Sequence, residues 1–572
     1  MAGAKQTSAV STQMFALRRY IAAAASFTLA LNILMLVSPL HMIQVYDRVL
    51  TSGSVDSLLL ITLLATALLG VYAIADAGRK RVFTLLGTRF FRRVEQGLFA
   101  RAMRSADPGR EVPAAVGDLA TVQKFIAGGG AAPFFDAPYA PLFAALLFFV
   151  HPVMGAVGLT GAFVLIGLAV ASEVTTRTGT AEIGRKESSA QVFLAGLSRQ
   201  ANAVLSMGMV GRAFQRWQTL VQEGHDGQLV VGERSAVLAA ASRGLRQILQ
   251  VLMLSVGAYY TLRHEVSPGA IIASSIILSR ALGPVDHIVG AWPQIVRVRE
   301  AWAGLTRRLP EGALDRTESL PLPRPEARLT LEGVAIATPG TSEALVGRMS
   351  LTLEPGSLMV VVGPSGSGKT SLLQTLSGAW APMTGTVRLG GSHLHAWDAD
   401  DRGAHVGYMP QDVELLPGKV WENITRFQPA EPPQIHDAAE KAHCADAIVR
   451  LPQGYDTLVG PGGAHISAGQ KQGIGLARAL FGTPALILLD EPTAHLDLAR
   501  ATGVRKLLES LKTEAHVVVV ASHDLRLLEI ADYVMSLNAG QATVSTGKDF
   551  MKEVVNLRRT RPTPVYATET ES

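Results

Sequence analysis

A single cysteine, Cys444, is all the chain has, which excludes an intramolecular disulfide framework. The surrounding "AEKAHCADAIV" reads as a helix, and a lone thiol there behaves as a small buried hydrophobe. Charge is scarce as well. Asp, Glu, Lys and Arg make up 17% of the residues, against roughly 25% in typical soluble domains. Mean hydropathy is +0.25, so an ordinary soluble enzyme is excluded and lipid is implied. A third shortage is local: residues 326 to 379 contain no Phe, Tyr, Trp or His.

What is present accounts for the missing charge. At 572 residues the chain exceeds the size at which one core stops growing, so at least two domains are expected. Apolar runs long enough to cross a bilayer, about 20 residues each, fall near 21–45, 58–77, 134–150, 154–171, 245–262 and 270–295. Six spans are predicted. Three connections, "YDRVLTSGSVDS", "HPVMG" and "RHEVSPG", are short and nearly neutral, whereas the two between them are long and basic. One carries Arg79, Lys80, Arg81, Arg89, Arg92 and Arg93; the other carries Arg177, Arg185, Lys186, Arg199, Arg212 and Arg216. Positive-inside asymmetry puts both in the cytoplasm with the N-terminus and its Arg18 and Arg19. The polar opening "MAGAKQTSAVSTQMFALRRY" followed by a long apolar run does not fit a cleavable signal peptide.

Up to Pro310 there are 29 Lys+Arg against 17 Asp+Glu, and after it 23 against 30. A basic half can signal nucleic acid, but these charges alternate with membrane spans, so no nucleic-acid partner is predicted. Pro310, Pro321, Pro323 and Pro325 mark an extended spacer. The predicted organisation is a cytoplasmic N-terminal segment (1–19), a six-helix transmembrane domain (20–309), a linker (310–327), a nucleotide-binding domain (328–548) and a polar tail (549–572). In the second half, "LMVVVG", "LILLDEP" and "HVVVVASHD" alternate with helix-like segments, which argues an α/β domain with a parallel-rich core.

Two motifs carry chemistry. "GPSGSGKT", comprising Gly363, Pro364, Ser365, Gly366, Ser367, Gly368, Lys369 and Thr370, fits the phosphate-loop pattern at every position, between a buried strand and a helix. Backbone N–H groups of such a loop cradle phosphates, the Lys reaches the β/γ oxygens and the Thr ligates Mg²⁺. "LILLDEP" ends a second apolar strand in Asp490 and Glu491. The first is placed to hold Mg²⁺, the second to orient or deprotonate the attacking water.

With Gln411 in "VGYMPQD", "ISAGQ" at 466–470, "AHLD" at 494–497 and His523 in "ASHD", the ordered set resembles an ABC-transporter ATPase domain. That resemblance implies a six-helix ABC exporter membrane domain joined to an α/β P-loop ATPase, with ATP and Mg²⁺ as cofactors. It assigns Glu491, His523 and Gln411 to catalysis, and Thr370, Gln411 and Asp490 to the metal. It also implies a homodimer in which Ser467, Gly469 and Gln470 of one chain cap the γ-phosphate held by the other. Departures from the family pattern are Ile466 and Ala468 in the signature, where a β-carbon at 468 is expected to narrow backbone freedom. Gly473 stands in place of a basic residue, and Thr338 stands where an aromatic usually stacks on adenine.

The membrane half narrows the class. "NILMLVSPLHMIQVYDRVLTSGSVDSLLLIT", "FFDAPYAPLFAALLFFVHPVMG", "NAVLSMGMVGRAFQRW" and "PQDVELLPGKVWENITRF" resemble the ATPase/permease of type I secretion systems, in the protease/lipase and haem-carrier exporter branch. Such proteins sit in the bacterial inner membrane as multi-pass proteins with the ATPase domain cytoplasmic. They export unfolded proteins bearing a C-terminal signal, with a periplasmic membrane-fusion adaptor and an outer-membrane channel. An exporter of lipid, peptide or drug-like molecules would share the fold and is the alternative. Segments 116–125 and 203–211 resemble coupling segments. Of the titratable residues within the spans, Asp76 is expected near the interface, whereas Arg280, Asp286 and His287, recurring at helical spacing, predict a wet path, since a charge at mid-bilayer costs about 2.5–3.5 kcal/mol.

Overall fold

A computed structural model describes residues 9–105, 108–310, 312, 323–460, 465–494 and 498–552. The chain divides into two compact units, Met1–Asp315 and Arg316–Ser572. Most of the predicted linker, the tail beyond 552, and His495 to Asp497 of "AHLD" lie outside the described residues.

The first unit is helical and, among the described residues, contains six helical segments long and apolar enough to span a membrane: Arg18–Ser52, Val55–Met103, Ala132–Val150, Pro152–Thr175, Val210–Leu262 and Pro268–Gly290. Their sides are apolar and open, as in the run from Leu58 to Leu64, where Leu60 and Leu63 are each 69% exposed. A water-soluble core would not leave such side chains uncovered, whereas lipid does.

Prolines break the spans more finely than hydropathy predicts. The first bends at Met35–Leu36, and Pro39 sits in the opening turn of Val37–Gln44, where its missing N–H costs nothing. A π-helical turn, Val45–Val49, follows. The third starts as Ala132–Asp136 and a 3₁₀ turn Ala137–Tyr139 before Ala140–Val150, in step with Pro133, Pro138 and Pro141. The sixth ends at Gly290 rather than running to 295, and a new helix starts at Trp292 with Pro293 in its first turn.

Two apolar cores hold this unit together. One lies among the spans and includes Phe143, Leu147, Met154, Met253, Leu278 and Leu282. The other joins Ala9–Phe15, the distal half of Val55–Met103, Pro108–Ala127 and Trp292–Arg308 through Phe83, Phe90, Leu98, Leu119 and Leu305. Phe90 and Trp302 stack there with centroids 5.8 Å apart, and Arg308 bridges Glu111 (2.8 Å) and Asp118 (2.6 Å). Segment 116–125 lies within the packed helix Pro108–Ala127. Segment 203–211 does contain a short helix, Ala201–Ser206, and a turn that exposes Leu205 and Met207.

The polar residues within the spans separate. Asp76 pairs with Arg79 (3.1 Å) and Lys80 (2.8 Å), and Arg79 reaches Asp136 (2.9 Å). Asp286 accepts from Ser242 Oγ (2.6 Å) and faces Arg246 (3.6 Å), so it ties two helices together. Arg280 and His287, seven residues apart on one helix, are exposed.

Among its described residues the second unit contains twelve strands: β1 (Leu329–Ile336), β2 (Val346–Leu353), β3 (Leu358–Val362), β4 (Thr384–Leu389), β5 (Ser392–His393), β6 (Val406–Met409), β7 (Gly418–Lys419), β8 (Leu458–Val459), β9 (Leu486–Asp490), β10 (Val517–Ala521), β11 (Tyr533–Asn538) and β12 (Gln541–Thr546). The main sheet runs β12-β11-β3-β10-β9-β6. Its neighbours from β11 to β6 are parallel, and β12 closes an edge antiparallel. Every residue of β9 and β10 is buried, which explains their unbroken runs of Leu, Ile and Val. A smaller antiparallel sheet, β2-β1-β4-β5, packs its apolar residues with one face of the main sheet. Helices that include Ala468–Leu480 cover the other face.

Candidate nucleotide site

Parallel strands deliver their C-terminal ends to one rim, and there the predicted residues meet. β3 leads into the glycine loop, where Gly366 (φ +81°) and Gly368 (φ +98°) adopt left-handed backbone that a side chain would disfavour. At Gly363 a β-carbon would collide with the Leu537 carbonyl. The helix Lys369–Leu376 follows, and Leu372 N–H reaches back to Gly368 O at 2.8 Å. The N–H groups before it have no acceptor within the helix. Together with the enclosed Ser367 Oγ, which has no hydrogen-bond partner among the described residues, they form a donor-lined cradle suited to phosphate.

Lys369 Nζ donates to Gly363 O (2.8 Å) and Pro364 O (3.2 Å) and lies 3.1 Å from His523 Nε2. Thr370 Oγ1 donates to Asp490 Oδ2 at 2.7 Å, pairing two of the three predicted metal ligands. Asp490 is 1% exposed. Burial pushes its carboxyl upward, while the Thr370 hydrogen bond and the Lys369 charge pull it back. A hydroxyl and a buried carboxylate beside a phosphate cradle are the hard oxygen donors that Mg²⁺ takes.

Glu491 lies one residue past β9, with its backbone at φ +49° and its N–H on Ala521 O at 2.9 Å. Its Oε1 is 3.5 Å from His523 Nε2. One cavity of about 500 Å³ is lined by Leu345, Ser365, Gly366, Gly368, Lys369, Thr370, Ser371, Gln411, Asp490, Glu491, Ala494 and His523. Phosphate loop, acids, Gln411 and His523 therefore converge in a single chain. Thr338 is exposed on the turn after β1 and does not line this cavity, whereas Leu345 does.

Ser467, Gly469 and Gln470 do not line it either. Ser467 caps the helix Ala468–Leu480: its Oγ accepts from Gln470 N (3.3 Å), and Gln470 Oε1 accepts from Ser467 N (2.9 Å). This reciprocal box leaves the Ser467 hydroxyl hydrogen free to donate outward, beside the first-turn N–H groups. Ala468 is the first helical residue, so its β-carbon sits where any L-residue is comfortable, and the expected loss of backbone freedom does not arise. At Gly473 an added β-carbon would lie 2.8 Å from Cys444 Cβ. That contact explains the glycine in place of a basic side chain. Cys444 is buried, but at a junction between Pro432–Lys441 and Ala445–Val449 rather than within one helix.

Three participants escaped sequence reasoning. Leu345 lines the cavity although no motif contains it. Tyr408 lies on β6 opposite Leu488, and burial with the nearby Asp490 charge pushes its phenol up to about 12. Gln472 contacts the carbonyls after β9. Only Tyr408 left a trace, as the one aromatic in an apolar strand leading to Gln411.

These two units, a six-span helical unit and a P-loop ATPase, define an ABC exporter. The family model described as ABC transporter matches residues 346–494. The structure titled "Structure of a bacterial Atm1-family ABC exporter with ATP bound" aligns with TM-score 0.77 over 96% of this chain and 99% of its own, at 20% identity, which establishes the shared fold. Similarity in sequence is greater to the "Type I secretion system ATP-binding protein PrsD" of Rhizobium meliloti (strain 1021), 36% identical over 524 residues, 89% of this chain and 88% of that protein. The "Leukotoxin export ATP-binding protein LtxB" of Aggregatibacter actinomycetemcomitans is 25% identical over 89% of this chain and 73% of its own. The chain belongs to the type I secretion ATP-binding proteins of the ABC transporter family, and it is a multi-pass membrane protein with an ATPase domain.

Proposed function

We propose that two copies of this chain, in the bacterial inner membrane with their ATPase domains cytoplasmic, use ATP hydrolysis to export an unfolded protein with a C-terminal signal. The export path continues through a periplasmic adaptor and an outer-membrane channel. The observation that carries this reading is similarity along 89% of the chain, membrane spans included, to a type I secretion ATP-binding protein.

Each step assigned to this chain follows from its own residues. N–H groups of residues 365–371 bind the β- and γ-phosphates, and Lys369 turns its ammonium from the Gly363 and Pro364 carbonyls onto them. Mg²⁺, when bound, neutralises phosphate charge, and Thr370, Asp490 and Gln411 would hold it. Glu491 takes the proton of the attacking water. His523, within reach of both Lys369 and Glu491, donates toward the γ-phosphate. Ser467, Gly469 and Gln470 sit outside this chain's own cavity and serve the partner's nucleotide.

The test is a comparison of the proteins in the culture medium of cells lacking this chain, restored with the native chain, or restored with Glu491→Gln. Loss of one or a few proteins with intact C-termini, recovered only by the native chain, is expected. An unchanged set of secreted proteins with an altered lipid composition would establish the lipid alternative instead.

A further inference from the structure

Gln472 lies in the helix Ala468–Leu480, one turn past the first signature residues, and does not line the nucleotide cavity. It is 7% exposed. Its side-chain amide donates to Pro492 O at 2.9 Å and lies 3.5 Å from Glu491 O. Its Oε1 has no hydrogen-bond partner among the described residues, and the residue lines a cavity of about 40 Å³ together with Gly469, Gln470 and Pro492. A cavity of that size has room for one water against the oxygen.

The carbonyls it touches belong to a constrained segment. Glu491 occupies left-handed backbone, which non-glycine residues keep only where their surroundings hold them there. Ala521 O holds its N–H, Ala494 N–H holds its carbonyl, and Gln472 reaches the same carbonyl and the next one from the helix side.

We propose that Gln472 is a positioning residue that ties the signature turn to Glu491 of the same subunit. This rests on the reading that Ser467, Gly469 and Gln470 cap the partner's nucleotide. When they meet a phosphate the helix moves as a rigid element. Gln472 moves with it and draws the Pro492 and Glu491 carbonyls, which re-aims the Glu491 carboxylate. Each chain readies its own base as it caps its partner's ATP, so the two sites fire interdependently.

The experiment is steady-state ATP hydrolysis by the full-length protein in lipid nanodiscs, as a function of ATP and of pH, for Gln472→Leu, Gln472→Glu and Ser467→Arg. Gln472→Leu lowers kcat by roughly 10- to 100-fold, as removal of outer-shell partners does elsewhere. KM stays within about twofold of native, because that interaction is not made to bound nucleotide. The Hill coefficient falls from above one to one. Gln472→Glu is equally slow near pH 8 and recovers toward pH 6, because a protonated carboxyl again offers a donor to Pro492 O and burial beside carbonyls raises its pKa. Misfolding would not reverse on acidification. Native kcat and cooperativity in Gln472→Leu, or a pH-independent loss in Gln472→Glu, overturns the inference. Native turnover in Ser467→Arg overturns the capping reading beneath it. Loss in Ser467→Arg with a native Gln472→Leu overturns the coupling alone.

Discussion

Arg426 gives the sharpest stability prediction. Its guanidinium donates to the carbonyls of Gly403, Val406 (3.4 Å), Arg478 (3.0 Å), Ala479 (3.2 Å) and Phe481 (3.3 Å), and no carboxylate pairs with it among the described residues. Three of those carbonyls end the signature helix, where the macrodipole is negative. Burial and the nearby Arg478 pull its pKa down to about 10, still high enough to keep it charged at neutral pH. A hydrogen bond to a charged group is worth about 1.5–3 kcal/mol. Bonds sharing one guanidinium are not additive, so Arg426→Met should cost roughly 3–5 kcal/mol. In a domain of this size that lowers Tm by roughly 6–20 °C. The backbone at Arg426 is also left-handed, φ +58°. Arg426→Gly should therefore lose about 1 kcal/mol less than Arg426→Met. Scanning calorimetry of the detergent-solubilised chain, following the ATPase transition, measures both. An Arg426→Met transition within about 2 °C of native, or a Gly variant less stable than Met, would refute the reasoning.

Glu491→Gln should retain ATP binding and lower turnover by roughly 10²–10⁴-fold, as loss of a general base does; near-native hydrolysis would remove Glu491 from the role of base. Gly473→Ala drives a β-carbon to 2.8 Å from Cys444 Cβ; an overpacking cost of about 1–3 kcal/mol outweighs a helix-propensity gain of about 1 kcal/mol. The Tm should therefore fall, and the substitution should become stabilising in a Cys444→Gly background. Thr338→Tyr should tighten ATP by about 1 kcal/mol, roughly fivefold, if its ring reaches the base; unchanged affinity in a titration with a fluorescent ATP analogue would leave Leu345 as the residue nearer the base.

The convergence of the predicted site residues was legible because each piece is a short motif at the end of an apolar strand. Lys369, Thr370, Asp490 and Glu491 are local in sequence, and parallel β3 and β9, both flanking β10, bring them to one rim. The membrane spans were legible from hydropathy, but their ends were not. Proline chemistry at Pro39, Pro138 and Pro293 acts within single turns that a window of about 20 residues averages away. What sequence hid was side-chain reach across the fold. Gly473 makes sense only beside Cys444, 29 positions away. Arg426 is an ordinary surface arginine until five backbone carbonyls surround it. Ala468 looked restrictive because its place at the start of a regular helix was not visible.

The central claim, that two chains complete each other's nucleotide sites, is tested by a tagged dimer of one Lys369→Ala chain and one Ser467→Arg chain. If capping acts between chains, both lesions fall in one composite site and the other site is whole. Vanadate trapping should then label the Ser467→Arg subunit at about half the native total, and the Lys369→Ala subunit not at all. Absence of label on the Ser467→Arg subunit, in a dimer shown to be folded and paired, would contradict the account.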